Sequence, residues 1–493
     1  MKPAPALTTD PTLAALARYQ PYLSPEDYQA LLAVIHEPAP IALRVNLLKS
    51  SDPVETLTKW SAWYGWEASP LSYYPAGFQL RRYSTSPSQT VEHRLGYYYL
   101  QDAASMLPVA LFSPASGRSL TLDLAASPGG KTTQLVDSNG DHGLVIANDA
   151  SASRIPALKV VLQTWGALNT VIANYPGEQW GAWFPETFDR VLLDAPCSME
   201  SLRASASHPH RPITPAERSR LAARQLALLE SAVAATRLGG EIVYSTCTLA
   251  PEEDEAVLDA FLKAHPGVVE VAPPPNLQLQ APGLTHFAGQ EFDPQVVRGL
   301  RLWPHLLGTN GFFAARLLKT GAMLRGDVKI PARPFASTGL SPLTTAATNQ
   351  LCHQVADLYG FNLAAVLEEY QCVLYQRGTQ IWLLPEQYLA RFASLPYASL
   401  GFPVGKLMGT ELELSFEMVS RFGDAFRTNI WEIPDEYREA WLSGAELRGV
   451  TLAGVKLGSV IAIRDSLGRN LGAGKALPGR LRNLLPSRSL LSS

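Results

Sequence analysis

Short apolar runs alternate with longer segments of helical spacing between residues 116 and 322. Each run is bounded by glycine, polar or small residues, which is typical of strands. The predicted strands are residues 120–125, 143–148, 171–173, 190–193 and 241–245. Strands that alternate with helices predict a Rossmann-like, doubly wound α/β domain, in which ligands bind at the carboxyl ends of parallel strands.

The clearest helical segment between these strands is residues 215–238. Thr214 is a suitable N-cap, Pro215 fits the first helical position, and Glu217 completes a capping box. Gly239 follows the last residue of helical spacing, so we expect the helix to end there.

The flanking regions have other patterns. Residues 1–115 mix short helical and strand patterns and predict an α+β region. Residues 323–400 combine a linker, rich in proline and glycine near 321–340, with a mixed α/β segment. Residues 401–493 alternate glycines with β-like runs such as 450–457 and 460–463, which predicts a small β-rich domain.

Composition narrows the class of protein. Hydrophobic residues make up 46% and charged residues 17%, an ordinary globular balance. No apolar run is long enough to span a membrane, and residues 1–11 lack the apolar centre of a signal peptide. None of the four cysteines forms a Cys-x-x-Cys pair, so we expect no metal site and a reducing, cytoplasmic location.

The net charge of −3 argues weakly against a nucleic-acid partner. Its distribution weakens that argument, because basic residues gather between positions 464 and 493. These residues are Arg464, Arg469, Lys475, Arg480, Arg482 and Arg488. Two interpretations stay open at this point: a surface that contacts phosphates, or a solvated tail.

A run of small residues follows the first predicted strand and precedes a helix. Small residues let a backbone approach a ligand closely, which suits a nucleoside cofactor. The predicted cofactor contacts are Ala125, Ala126, Ser127, Pro128, Gly129, Gly130 and Lys131. A phosphate-binding loop is excluded, because that motif needs a glycine where Ala125 stands. A plain tight turn is the alternative.

Asp149 stands at the end of the second predicted strand, directly after residue 148 and 26 residues after Asp123. A carboxylate at this point can accept hydrogen bonds from both ribose hydroxyls of a nucleoside. The alternative is a helix cap, a common role of aspartate after a strand.

Two cysteines follow the fourth and fifth predicted strands. Cys197 stands in Asp194-Ala195-Pro196-Cys197, and Cys247 in Ser245-Thr246-Cys247. If the two strands are neighbours, both thiols and Asp194 meet at one edge of the sheet. A single cysteine after a strand is usually a buried apolar residue. Two of them beside an acid favour a catalytic centre.

These motifs resemble those of the Sun (Nol/Nop/Sun) family of RNA cytosine-5 methyltransferases, in which a Pro-Cys and a Thr-Cys motif form the signature pair. The resemblance implies S-adenosylmethionine as cofactor and RNA as partner. It implies that Cys247 is the nucleophile that attacks the base and that Cys197 serves the release of the product. Asp194 would act at the base edge and beside the cofactor.

The resemblance extends to other segments. Residues 43–46 (Leu-Arg-Val-Asn) and 101–106 (Gln-Asp-Ala-Ala-Ser-Met) resemble the family's N-terminal elements. Residues 481–486 resemble the end of a bacterial member that acts on 16S ribosomal RNA, which implies a PUA-like RNA-binding domain and ribosomal RNA or the small ribosomal subunit as partner. We expect a monomer. A transfer RNA methyltransferase and a catalytically silent assembly factor that binds RNA are the alternatives.

Two positions depart from the family pattern. Residues 198–202 (Ser-Met-Glu-Ser-Leu) replace a glycine-rich segment after Cys197, which puts the shape of that loop in question. Asn174 stands after the third strand, where an aspartate commonly holds the adenine amine.

Overall fold

The computed structural model describes residues 16–115, 117–200, 213–273, 277, 279, 281–323 and 328–490. They form an N-terminal region, a central sheet with a hydrophobic core on each face, and a C-terminal region with two further sheets. No described helix is long and apolar enough to cross a membrane.

The N-terminal region is built on a four-stranded antiparallel sheet in the order β2-β3-β1-β4. Its strands are β1 (Ala42–Val45), β2 (Trp66–Leu71), β3 (Tyr74–Tyr83) and β4 (Tyr98–Leu100). Its helices are α1 (Pro25–Val34), α2 (Pro53–Tyr64), α3 (Val91–Arg94) and α4 (Leu107–Ala110). Local sequence explains the bounds of α2: Asp52 accepts hydrogen bonds from the first turn, and Gly65 ends the helix with a φ of 62°.

The central sheet has the order β10-β14-β9-β8-β5-β6-β7, with β13 beside β14. Its strands are β5 (Leu120–Asp123), β6 (Leu144–Asn148), β7 (Thr170–Ala173), β8 (Phe188–Asp194), β9 (Thr236–Thr246), β10 (Val269–Ala272), β13 (Leu300–Leu302) and β14 (Phe312–Lys319), with β11 (His286–Phe287) and β12 (Gln290–Glu291) in a separate hairpin. The helices are α5 (Gly130–Ser138), α6 (Ile155–Trp165), α7 (Trp180–Trp183), α8 (Pro215–Ala235), α9 (Glu255–Ala264) and α10 (Pro304–Leu307).

The five strands predicted from the sequence are confirmed as β5 to β9, and they pair in parallel. The order reverses at β5, which lies between β6 and β8. In a doubly wound sheet, the crevice beyond this reversal point is the usual ligand site. The doubly wound α/β fold is therefore confirmed, and it directs attention to the carboxyl ends of β5 and β8.

The predicted end of α8 at residues 238 and 239 is wrong. The helix ends at Ala235, and Thr236 adopts extended backbone and pairs with Phe188 at the start of β9. Residues 236–238 have the helical spacing of one further turn, but they belong to β9 because strand pairing is more favourable there. The predicted start is confirmed, since the Thr214 side chain accepts a hydrogen bond from the backbone of Glu217 at 3.1 Å.

The C-terminal region contains two five-stranded sheets, in the orders β15-β16-β17-β19-β20 and β21-β23-β24-β25-β22. The strands are β15 (Ser341–Pro342), β16 (Cys372–Arg377), β17 (Gln380–Pro385), β18 (Ser399–Leu400), β19 (Phe402–Met408), β20 (Glu411–Leu414), β21 (Ile430–Glu432), β22 (Leu447–Arg448), β23 (Val460–Arg464), β24 (Asn470–Leu477) and β25 (Arg480–Asn483). The helices are α11 (Thr345–Tyr359), α12 (Leu363–Glu369), α13 (Glu386–Arg391), α14 (Phe416–Phe422) and α15 (Asp435–Leu442).

This region confirms the predicted β-rich C-terminus and corrects one element. The strand at 460–463 is present as β23, but residues 450–457 form turns, with Gly454 at a φ of 73°. Strand β18 pairs with β7 and covers an edge of the central sheet. The first of the two sheets runs from residue 341 to 414 and so extends across residue 400. A PUA-like fold and the domain boundaries stay predictions.

Candidate active site

A cavity of about 220 Å³ lies beyond the carboxyl ends of β5 and β8. Seven predicted site residues line it: Ala125, Ala126, Ser127, Pro128, Gly130, Lys131 and Asp194. Gly129 and Asp149 are not among the lining residues. The structure thus brings most of the predicted cofactor contacts together around one opening.

The turn between β5 and α5 has no room for larger residues. Gly129 has a φ of 114°, a conformation that disfavours any side chain. A Cβ atom on Gly130 would lie 2.9 Å from the ring of Tyr99. Gly130 therefore lets the start of α5 pack against the N-terminal region at the cavity wall, while Gly129 allows the turn itself.

Asp149 stabilises this turn through hydrogen bonds to its backbone. Its carboxylate accepts hydrogen bonds from the backbone N–H of Ser127 at 3.1 Å and of Ser151 at 2.8 Å, and lies 3.4 Å from Arg154. Asn174 donates to the backbone oxygen of Asp149 at 2.7 Å. The contact of Asp149 with a ribose stays a prediction, and its role in shaping the turn is now evident.

Asp123 places a buried carboxyl group at the cavity. Its Oδ2 accepts a hydrogen bond from Thr132 at 2.6 Å, whereas its Oδ1 is buried and has no partner among the described residues. Burial raises the pKa of Asp123 to about 7. The buried hydroxyl of Ser127 likewise has no described partner, so the wall carries polar atoms that a ligand could satisfy.

Lys131 and Asp194 form an ion pair of 2.7 Å at the same wall. The other oxygen of Asp194 accepts a hydrogen bond from the hydroxyl of Ser245 at 2.8 Å. Burial acts to lower the pKa of Lys131, but the charge and hydrogen bond of Asp194 outweigh it and raise the pKa.

One side of the cavity comes from the N-terminal region, and sequence reasoning missed it. The additional lining residues there are Tyr99, Leu100, Gln101, Asp102 and Ser105. Burial raises the pKa of Asp102, whose carboxylate accepts a hydrogen bond from Asn310 at 2.6 Å. Most of these residues belong to the motif at 101–106, whose resemblance to the family was the one sequence feature that could have indicated their place in the site.

Arg44 fixes the N-terminal region to the turn. It is fully buried, and it donates to the side chain of Gln101 at 3.1 Å and to the backbone oxygen of Gly130 at 3.0 Å. Its guanidinium also forms an ion pair with Asp137 in α5. The motif at 43–46 therefore positions the cavity wall.

Cys197 and Cys247 meet next to the cavity, with their sulfur atoms 2.9 Å apart. The predicted convergence is confirmed, because β8 and β9 are neighbours and Asp194 pairs with Ser245. Both thiols are free and partly buried. The hydrogen bond with Cys247, followed by burial, raises the pKa of Cys197 well above its ordinary value, so Cys197 stays protonated as a thiol.

The loop after Cys197 departs from the family pattern and adopts a strained backbone. Met199 has a φ of 58° and its side chain is 51% exposed. This left-handed conformation suits glycine and costs roughly 1–2 kcal/mol in other residues. The next residue, Glu200, pairs with Arg218 at 2.8 Å. Ser201 and Leu202 lie outside the described residues.

The basic residues near the C-terminus are mostly paired within the protein. Arg464 donates to the backbone oxygens of Gly423, Asp424 and Phe426. The ion pairs are Arg469 with Glu92 and Asp465, Lys475 with Glu413, Arg480 with Glu446, and Arg488 with Glu417. Arg482 is exposed, and its side chain has no partner in the part of the chain that is described. The cluster is thus largely neutralised, rather than a solvated tail.

The sheet order, with a cavity at its reversal point, is typical of an S-adenosylmethionine-dependent methyltransferase, and the family comparison shows this class. Residues 109–318 match the family described as 16S rRNA methyltransferase RsmB/F, and residues 14–103 match the N-terminal domain of 16S rRNA methyltransferase RsmF. The chain belongs to this RsmF family, which confirms the resemblance seen in the motifs.

Named relatives and a solved structure agree with this assignment. The chain is 32% identical over 424 residues to Ribosomal RNA small subunit methyltransferase F of Escherichia coli O127:H6, covering 85% of each chain. It is 31% identical over 470 residues to the Klebsiella pneumoniae protein of that name, covering 94% and 92%. A methyltransferase homolog protein from Pyrococcus horikoshii matches with a TM-score of 0.55 and 31% identity, over 62% of this chain and 97% of that chain.

Proposed function

We propose that this protein methylates carbon 5 of a cytosine in 16S ribosomal RNA through a covalent bond between Cys247 and the base. The contact of the Cys197 and Cys247 sulfur atoms beside the Lys131–Asp194 ion pair carries this proposal. Membership of the RsmF family supports ribosomal RNA as the substrate, since the relatives are named for the small subunit.

The residues around the cavity fit S-adenosylmethionine. Unpartnered polar atoms of Asp123 and Ser127 can hydrogen bond to it, and a carboxylate suits its positive charge. The turn at Gly129 and Gly130 allows close approach of the backbone. When bound, this cofactor supplies an electrophilic methyl group.

Carbon 5 of cytosine is a weak nucleophile, so the reaction needs covalent activation. Addition of the Cys247 thiolate to carbon 6 makes carbon 5 electron-rich. A thiolate is the reactive form of cysteine, and the Lys131–Asp194 ion pair lies at the same edge of the sheet as Cys247. Asp194, which ends β8 beside both thiols, is placed to hydrogen bond to the base edge while Ser245 holds its second oxygen.

Release requires carbon 5 to lose its proton. The electron pair of that C–H bond restores the double bond as the bond between carbon 6 and sulfur breaks. Solvent water takes up the proton, and Cys247 leaves as a thiolate. Cys197 contacts this sulfur and can donate a hydrogen bond to it. This contact supports separate roles, with Cys247 for attack and Cys197 for release.

The target cytosine must leave its stack to reach this edge, at a cost of a few kcal/mol. We propose that residues 1–115 and a PUA-like domain at 401–493 bind the surrounding RNA, with the methyltransferase domain at 116–322 and a connecting region at 323–400.

Bisulfite sequencing of total RNA from cells with and without the gene tests the proposal. We expect one or more protected cytosines in 16S ribosomal RNA to disappear in the deletion strain. Wild-type protein should restore them, and Cys247→Ala should not. If protection is lost in transfer RNA instead, the substrate is transfer RNA and not 16S ribosomal RNA. Unchanged protection in every RNA would contradict the proposed methyltransferase activity.

A further inference from the structure

The peptide groups on both sides of Cys197 are held by two buried side chains that no sequence motif marked. Gln225 in α8 donates from Nε2 to the backbone oxygen of Pro196 at 3.0 Å. The backbone N–H of Ser198 donates to Glu253 Oε2 at 2.9 Å. The same nitrogen of Gln225 donates to Glu253 Oε2 at 3.0 Å, so one linked pair holds both flanks of Cys197.

This arrangement is unfavourable for Glu253 itself. Glu253 and Gln225 are both fully buried, and Oε1 of each has no partner among the described residues. Burial raises the pKa of Glu253. A buried carboxyl group with an unmade hydrogen bond lowers stability, and its presence at a catalytic edge indicates a functional constraint.

The loop needs such support because its backbone is strained. Met199 adopts the left-handed conformation immediately after Ser198. Beyond it, the backbone oxygen of Glu200 accepts a hydrogen bond from Leu249 at 3.3 Å. Hydrogen bonds at Ser198 and at Glu200 therefore hold the chain on both sides of Met199.

Cys247 has its own anchors. It follows β9, which pairs with both β8 and β14, and the hydroxyl of Thr246 donates to Asp254 at 2.5 Å. Loss of the Glu253 side chain would therefore displace Cys197 and leave Cys247 in place.

We propose that Glu253, together with Gln225, is a positioning residue that holds Cys197 against Cys247 for the release step. The inference rests on the proposed function, and it predicts a distinctive phenotype. Attack and methyl transfer depend on Cys247 and continue, whereas release depends on the position of Cys197 and slows.

The test uses the full-length protein, a 16S ribosomal RNA transcript and methyl-labelled cofactor. In Glu253→Ala we expect turnover to fall on the order of 100-fold, the scale of a misplaced group, and a labelled protein–RNA adduct to survive denaturing electrophoresis. Glu253→Gln keeps an acceptor for Ser198 and should restore release. Glu252→Ala is the matched control, because that neighbour pairs with Arg18 at 2.5 Å and Arg218 at 3.9 Å and has no hydrogen bond to residues 196–198 in the described part of the chain.

If Glu253→Ala does not fold, Gln225→Met carries the test, because it removes the contact with Pro196 and keeps the side-chain volume. It should give the same adduct. Loss of methyl transfer and adduct together would mean a general structural role and would overturn the inference. An adduct in Cys197→Ala but in neither of these variants contradicts this inference alone. No adduct in any variant, Cys197→Ala included, contradicts the proposed function as well.

Discussion

The sulfur atoms of Cys197 and Cys247 lie 2.9 Å apart although 50 residues separate them in the chain. Parallel pairing of β8 with β9 explains this contact, since Asp194 lies opposite Ser245 and each cysteine follows within a few residues. The sheet thus converts two distant motifs into one dithiol beside an ion pair.

Cofactor affinity should depend on pH through Asp123. Its pKa of about 7 leaves it largely neutral at lower pH, whereas a cationic ligand favours the ionised form. Affinity for S-adenosylmethionine should therefore rise with pH up to about 7, by at most about tenfold per unit, and level off above it. Calorimetry between pH 5.5 and 8, values chosen to bracket roughly that pKa, should show this slope in the wild type and a flat profile in Asp123→Asn. A wild-type profile that is already flat would exclude Asp123 from the linkage.

Asp149→Ala should weaken cofactor binding, because the turn loses the acceptor that holds Ser127. A hydrogen bond to a charged group contributes roughly 1.5–3 kcal/mol, so the dissociation constant should rise about 10- to 100-fold. Titration calorimetry of the folded variant measures the change. Ser151→Gly serves as a control, because it keeps the backbone N–H that donates a hydrogen bond to Asp149. Equal affinity of Asp149→Ala and wild type would remove this residue from the site.

Arg44→Met should destabilise the whole assembly of the N-terminal region on α5. The substitution leaves Asp137 buried without its cation, and breaking a buried ion pair costs about 3–5 kcal/mol. Urea denaturation should show the loss, and the double variant with Asp137→Asn should recover part of it. Arg81→Met, at an exposed position, should stay within about 0.5 kcal/mol of wild type. Comparable denaturation midpoints for Arg44→Met and Arg81→Met would contradict a structural role of Arg44.

Two C-terminal arginines should respond differently to substitution. Arg482 is exposed, so Arg482→Ala should lower the salt dependence of RNA binding by about one unit of slope if it contacts a phosphate. Arg469 pairs with Glu92 at 3.0 Å, so Arg469→Ala should instead lower stability by a few kcal/mol. Binding titrations at several salt concentrations, with thermal melts, separate the two. A reduced slope from Arg469→Ala with unchanged melting would reverse this assignment.

The sequence predicted the central strands and the turn of small residues after β5 because apolar runs, small residues and caps are local signals. Thr214 marks the start of α8 correctly for that reason. The end of the same helix was wrong, since pairing of Thr236 with Phe188 is a contact between distant segments. A local sequence pattern does not show that a helix competes with strand pairing to a distant segment.

The remaining site residues depend on long-range contacts. Gln101 reaches the cavity because Arg44 ties two regions together, and Glu253 matters only because Ser198 folds back onto it. Arg469 pairs with Glu92, which is equally distant in sequence. The sequence pattern therefore suggested that Arg469 was free to contact phosphates, whereas it forms an ion pair within the protein. Motif resemblance marked residue 101 without its role, and nothing local marked Glu253.

Adduct formation by the cysteine variants tests the central claim most directly. Purified wild type, Cys197→Ala, Cys247→Ala and the double variant are incubated with 16S ribosomal RNA and S-adenosylmethionine, then separated by denaturing electrophoresis. We predict an adduct from Cys197→Ala, and neither methylation nor adduct from Cys247→Ala or the double variant. An adduct from Cys247→Ala would exchange the two roles, and full activity of both single variants would contradict covalent catalysis by this dithiol.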